Sequence, residues 1–446
     1  MYKQVFVDFS VLKGFFKHPF VKNNLFFTIA SYLFRIFHNL FIFSVLARIF
    51  SDTQFGVISL IIMIARITQT VTDFGHRLQI VKEISLNNQP IKQAYVAQKI
   101  NFKFTLLLLV SVPVFIYSYY NDFWHYSPLV MIFVLLMGYL NGIAGLHFAI
   151  FQGKEWFRYE TYSLSILTIA TIFALIFTWY TKSVFLFFFL FFIAHIGSVL
   201  FGAKVLEDKF GIPFRTTLIP QLKLVDFSKE LKIVWTFGTI VIAEIFLTSL
   251  DSFFVEAYYS KVDLSYFEAI KKIVLGLAIV CAIFNVALMP PLTQWSNIPN
   301  RVNANKLLIT HFMVIAIGVV TYLGYVAWND TIIAILFGAK YSLIAMWDIH
   351  IGIFAISLYM RIIPAIYFVG THREQYRLWL VIAFLLVGLF VYPIFIKGNQ
   401  IRVAIEFTSY YNMLFSVVFN AIFFYYLYSD VKFGKLYSNS DLYINN

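Results

Sequence analysis

Arg35 and Arg66 sit where charge is expensive. They fall near the middle of two hydrophobic runs, NNLFFTIASYLFRIFHNLFIFSVLARIF and QFGVISLIIMIARITQTVTDF. An unpaired cation in hydrocarbon costs about 2.5–3.5 kcal/mol on insertion scales. Residues in such positions serve an anion, an ion pair or both. A guanidinium presents forked donors that match a phosphate or a carboxylate, so the chemistry on offer is anion binding inside a membrane.

Other polar residues recur at helical spacing on otherwise apolar rods. The first run carries Thr28, Ser31, Arg35, His38 and Asn39; the second carries Ser59, Arg66, Thr70, Asp73 and Arg77. Further along come Asn141, Gly145 and Gln152, then Thr236, Glu244, Thr248 and Asp251, then Glu268, Lys271 and Lys272, and finally His350, Ser357 and Arg361. Such stripes must face protein or water, so they outline a shared polar cavity. Arg35, Arg66, Lys271, Lys272, Arg361, His38, Asn39 and Asn141 are the candidate substrate-binding residues. Asp73, Glu244, Asp251 and Glu268 are the candidate carboxylates, either neutralising cations or exchanging H+ or Na+ with the cavity. Structural alternatives stand beside these roles. Arg35 and Arg66 can form an ion pair with Asp73 or Asp251. Lys271 and Lys272, read as near the outer end of their span, can bridge to Glu268 one turn away. Arg361 precedes a kink at Pro364 and can anchor a helix end, and isolated histidines such as His38 commonly pack rather than carry protons.

The elements that position these residues are membrane helices. With 61% hydrophobic residues, 53 phenylalanines and 13% charged residues, the chain of 446 residues lacks the polar surface a soluble globule needs. About twelve apolar runs are long enough to cross some 30 Å of hydrocarbon: residues 24–47, 55–79, 102–119, 127–151, 161–180, 184–203, 233–257, 265–289, 307–328, 344–369, 379–396 and 403–428. The fold class is therefore all-α and integral to a membrane. A segment at 332–337 is too short to cross and reads as re-entrant or interfacial. The lone Cys281 excludes an internal disulfide, and neither a metal-ligand set, a catalytic constellation nor a phosphate-cradling glycine loop is present, so no cofactor is expected.

Lysines and arginines concentrate on one side, from Lys3 to Lys22, Arg77 to Lys103, Lys204 to Lys232 and Arg373 to Arg377. The opposite loops hold Arg48, Lys182, Lys261, Lys340, Lys397 and Arg402. The positive-inside rule places both termini in the cytoplasm, and the net charge of +12 follows from that bias rather than from nucleic-acid binding. Five regions result: an interfacial amphipathic helix at 1–22, an N-lobe of six spans at 23–206, a cytoplasmic linker at 207–232, a C-lobe of six spans at 233–428 and a tail at 429–446. The turns LARIFSDTQFGVISL and VEAYYSKVDLSYFEAI echo one another weakly across the halves, as structural repeats do.

The first of those turns, with TDFGHRLQIVKEIS after it, resembles the polysaccharide transporter branch of the multidrug/oligosaccharidyl-lipid/polysaccharide (MOP) flippase superfamily, especially Wzx-type O-antigen flippases. SLDSFFVEAYYSKVDLSYFEAIKKI, NVALMPPLTQ and ILFGAKYSLIAMWDIHI in the second half are similar to that family's seventh helix, eighth-helix exit and FG-x-x-Y segment. The resemblance implies two six-helix lobes in a MATE-like V, no enzymatic step, and transfer of an undecaprenyl-pyrophosphate-linked repeat unit to the outer leaflet of a bacterial inner membrane. Its partners are then the lipid-linked glycan, the bilayer, and the polymerase and chain-length proteins of the pathway. Cavity arginines on the first, second and eighth helices of related lipid II flippases correspond by topology to Arg35, Arg66 and, with lysine in place of arginine, Lys271 or Lys272. A cation-coupled drug antiporter of the same fold and a membrane polysaccharide polymerase are the alternatives. The first requires an acidic cavity and the second requires large external loops.

Overall fold

The computed structural model describes residues 19–86, 91–120, 128–154, 156–220, 227–278, 292–293, 295–298 and 300–433. All regular structure among them is helical. The first half comprises α1 (Pro19–Ile49), α2 (Asp52–Asp73), α3 (His76–Leu86), α4 (Gln93–Tyr120), α5 (Pro128–Gly153), α6 (Phe157–Thr181) and α7 (Val184–Phe210). After a short α8 (Phe214–Leu218), the second half holds α9 (Phe227–Tyr258), α10 (Lys261–Leu277), α11 (Arg301–Ala327) and α12 (Asn329–Leu336). A 3-10 stretch, Ala339–Trp347, leads into α13 (Asp348–Met360), α14 (Ile362–Gly370), α15 (Glu374–Ile396) and α16 (Ile401–Phe433). Ten of these helices, counting Ala339–Gly370 as one, are long and apolar enough to cross a membrane. The 31-residue α1 and the described part of α10 complete a set of twelve.

Several expected boundaries move. Residues 19–22 belong to the first long helix rather than to a separate interfacial one, and residues 1–18 lie outside the described residues, as do Cys281 and the tail from 434. The segment 207–232 is shorter as a linker, because α7 continues to Phe210 and α9 begins at Phe227. The short segment at 332–337 is the end of α12, which sits against α1: Arg48 donates to the Ala334 carbonyl at 2.9 Å, and Ser44 donates to that of Leu336.

The two echoing turns fold alike. Ser51 caps α2 in a capping box with Gln54, and Ser260 caps α10 in a capping box with Asp263. The capped ends then pack on each other. A Cβ on Gly56, five residues past Ser51, would lie 2.4 Å from the Lys261 carbonyl oxygen and 3.3 Å from the nitrogen of Ser265, five residues past Ser260. The two equivalent turns of the repeat thus meet each other at this contact. Around it Lys340 reaches Asp52 at 2.7 Å and the Phe50 carbonyl at 3.1 Å, and Tyr266 donates to the Lys340 carbonyl at 2.9 Å. The end bearing these turns, called outer below, is therefore closed.

At the inner end, where the described chain starts and finishes, α9 packs against the first half. Phe74 takes a left-handed conformation (φ 42°) between α2 and α3, and a Cβ on the adjoining Gly75 would meet the Gly238 nitrogen at 2.7 Å. The buried Glu230 of α9 accepts from Lys99 at 2.6 Å and faces His76 at 3.3 Å. Gly56→Ala should force α2 and α10 apart. Labelling of Ser265→Cys, fully buried as serine, by an impermeant maleimide in a Cys281→Ser background is expected to rise about tenfold, from an overpacking cost of about 1–3 kcal/mol. Unchanged labelling would mean that the outer contact does not depend on this glycine.

Candidate functional site

Arg35 lies at the middle of α1, half-buried over the Phe148 ring at 5.3 Å. Its Nη2 donates to Glu160 of α6 at 2.6 Å, and the same carboxylate oxygen stands 3.8 Å from Arg77 of α3. Gln152 holds the other oxygen at 2.7 Å. Two guanidiniums thus share one carboxylate. The alternative pairing of Arg35 with Asp73 or Asp251 does not occur, because each of those acids is paired with a lysine. Asp73 accepts from the fully buried Lys103 of α4 at 2.7 Å.

Arg66 projects from the middle of α2. The helix around it is buried, yet Arg66 itself is exposed to the space between the lobes, and its side chain forms no hydrogen bond or ion pair among the described residues. The alternative pairing with Asp73 or Asp251 does not occur here either. Across from it, α10 presents Lys271 and Lys272. Starting at Lys261, the helix carries Lys272 eleven residues in, about 16 Å at 1.5 Å per residue, so these lysines lie deep rather than near the outer end as the sequence implied. Lys271 donates to Asp251 at 2.7 Å, to Ser252 at 2.7 Å and to the Thr248 carbonyl at 2.9 Å. Lys272 faces Glu268 at 3.3 Å, the local bridge expected, and lies 3.9 Å from the Phe43 ring of α1, across the lobe boundary.

In the C-lobe Arg361 marks the break between α13 and α14. Its Nε donates to Ser416 at 2.7 Å, and its Nη2 donates to the Asn412 side chain and carbonyl at 2.8 Å each. All of these partners are neutral. Glu244 of α9 accepts two bonds from Arg377 of α15, at 2.9 and 2.6 Å. Asn39 is exposed and bonds its own helix at the Arg35 carbonyl at 2.7 Å; His38 stacks 6.0 Å from Phe191; Asn141 is half-buried on α5. None of the three bonds a charged side chain among the described residues. Across the whole group, eight cations (Arg35, Arg66, Arg77, Lys103, Lys271, Lys272, Arg361, Arg377) face five carboxylates (Glu160, Asp73, Asp251, Glu268, Glu244), an excess of three positive charges.

Sequence reasoning missed Glu160, Lys103 and Arg377. Glu160 and Arg377 each fall in the first turn of a helix, where a charge reads as an ordinary end-of-span residue. Lys103 sits at the edge of an apolar run and reads as an interfacial anchor.

The model of the polysaccharide biosynthesis protein family matches residues 20–296. No curated protein matches the chain by sequence. Among solved structures, the chain is similar to an inward-facing multidrug resistance MATE family transporter of the MOP superfamily, with 11% identity and a TM-score of 0.66 over 90% of this chain and 98% of that one. It is similar also to the lipid II flippase MurJ in an inward closed conformation, with 15% identity and a TM-score of 0.63 over 88% of this chain and 87% of that one. An outward-facing MATE transporter aligns with 12% identity and a TM-score of 0.62 over 94% and 98%. At these identities the likeness is one of fold.

Glu160→Gln should leave Arg35 without an anion and Arg77 with only Asp73, one turn before it. Breaking a buried pair from one side costs about 3 kcal/mol or more, so the thermal midpoint in detergent is expected to fall by several degrees. An unchanged midpoint would mean that water in the cavity compensates both arginines.

Proposed function

The chain belongs to the polysaccharide biosynthesis protein family, and from that footing we propose that it is a flippase that moves undecaprenyl-pyrophosphate-linked oligosaccharide repeat units, of O-antigen or a similar surface polysaccharide, from the cytoplasmic to the outer leaflet by alternating access. Arg66 carries the proposal: a guanidinium in the middle of a membrane helix, open to the space between the lobes and without a partner among the described residues. A pyrophosphate cannot cross hydrocarbon alone. Placed cations stabilise it through charge-assisted hydrogen bonds while the polyprenyl tail stays in the bilayer. Arg35 and Arg77, with one carboxylate between them, and Arg361, with none, add to the same field.

In this reading the closed outer end and the exposed Arg66 form the loading state, with both termini in the cytoplasm. Cation-coupled drug export fits less well, since it calls for an unpaired cavity carboxylate. Asp73, Glu244, Asp251 and Glu268 each have a lysine or arginine within 3.3 Å. Coupling to H+ or Na+ then requires the anionic cargo to draw a cation away from one of these acids.

Arg66→Ala should cut export about ten- to a hundredfold, the loss of a charged hydrogen bond of about 1.5–3 kcal/mol. Arg66→Lys should fall between that variant and wild type, since it keeps the charge and loses the fork. The measurement is the amount of lipid-linked repeat unit retained on the cytoplasmic leaflet. Wild-type export by Arg66→Ala defeats the assignment. In a strain lacking the protein, unpolymerised units accumulating outside point to a polymerase, and intact glycan with drug sensitivity points to an antiporter.

A further inference from the structure

The repeat relates two ion pairs whose charges are exchanged. Arg35 lies fourteen residues before the end of α1 at Ile49, and Glu244 lies fourteen residues before the end of α9 at Tyr258. Both helices lead into the equivalent caps Ser51 and Ser260. Glu160 is the fourth residue of α6, and Arg377 is the fourth residue of α15. The bonds match in length: Arg35 Nη2 to Glu160 Oε1 is 2.6 Å, and Arg377 Nη2 to Glu244 Oε1 is 2.6 Å. Each lobe thus pins its first helix to its fifth at the same place, with arginine on the first helix in one lobe and glutamate on it in the other.

Two consequences follow from this inversion. A twofold repeat puts Arg35 and Glu244 at equal depth on opposite walls, about 21 Å inside the outer contact at 1.5 Å per residue. These are also the accessible members of their pairs: Arg35 is 27% exposed against 0% for Glu160, and Glu244 is 36% exposed against 21% for Arg377. Each has bonding capacity to spare. Arg35 uses only Nη2 in an ion pair, and its Nε has no partner; Glu244 uses only Oε1, and its Oε2 accepts nothing among the described residues.

We propose that, when the lobes rock about the α2–α10 contact and the inner mouth closes, Arg35 donates to Glu244, joining Glu160, Arg35, Glu244 and Arg377 into one string of alternating charge across the two lobes. Neither intra-lobe pair has to break. Each charge in the string then has opposite charge beside it, and expulsion of water from the closing mouth strengthens every link. With the same charge on both first helices, closure would oppose like charges. The exchange makes the closed inner mouth a bound state of the protein without cargo.

Nitroxide labels on Arg158→Cys and Gln375→Cys, both exposed at the inner ends of α6 and α15, in a Cys281→Ser background report the mouth width by electron–electron distance measurement in nanodiscs without substrate. The parent protein should show a short-distance population. In an Arg77→Gln background, which removes the second arginine beside Glu160, the R35E/E160R variant keeps its intra-lobe pair but sets like charges against the other lobe, and should lose that population about tenfold relative to Arg77→Gln alone. Adding E244R/R377E restores opposite charge across the mouth and should bring it back. An unchanged population in R35E/E160R, or no recovery in the fourfold variant, overturns the proposal. If R35E/E160R does not fold, the Arg35→Cys/Glu244→Cys pair decides: cross-linking by a short bismaleimide supports the string, and absence of cross-linking overturns it. Because no cargo is present, failure here leaves the flippase reading of Arg66 intact.

Discussion

Every charge placed in the hydrocarbon layer needs either an opposite charge, a set of hydrogen-bonding neutral groups, or water, because the free energy of leaving it bare is several kcal/mol. The helices of this chain are arranged around that requirement. Lys103, fully buried in α4, finds Asp73; Lys271 finds Asp251, Ser252 and a carbonyl; Arg361 finds serine and asparagine on α16. Arg66 is compensated by none of these and opens onto the space between the lobes. Glu268 on α10 attracts it through space without an ion pair, so its hydrogen-bonding capacity stays open toward that space.

The repeat supplies the frame in which these charges act. Two capped helix starts, at Ser51 and Ser260, meet with Gly56 and Ser265 in contact, so the outer closure is made from the same element used twice. Backbone symmetry does not extend to the side chains. Lys271 and Lys272 occupy α10 at positions where α2 has Ile62 and Met63, and Arg35 on α1 corresponds to Glu244 on α9. A symmetric scaffold can thus close symmetrically while the polar lining stays weighted toward positive charge.

Much of this is legible in the amino-acid sequence. The twelve spans, the deep placement of Arg35 and Arg66, the bridge between Lys272 and Glu268 and the break near Arg361 all follow from hydropathy, spacing and a proline. Hydropathy is a sum over neighbours in the chain, so it does not depend on how the helices pack. The ion-pair partners do not follow in this way. Asp73 and Asp251 look like counter-ions for the arginines because they share or adjoin the same stripes, but the lysines nearest to them in space come from α4 and α10.

The sequence by itself determined that this is a multi-span helical membrane protein with cations held inside the bilayer, since composition and the cost of charge in hydrocarbon leave little alternative. Which cations are free was decided only by tertiary structure. Arg35 and Glu160 are 125 positions apart, and Glu244 and Arg377 are 133 apart. Ion pairing depends on which helices touch and at what height, quantities that arise from packing six spans into each lobe. That packing gave Arg35 a carboxylate in direct contact, left Arg66 without an ion pair among the described residues, and set oppositely charged residues at matching positions in the two halves.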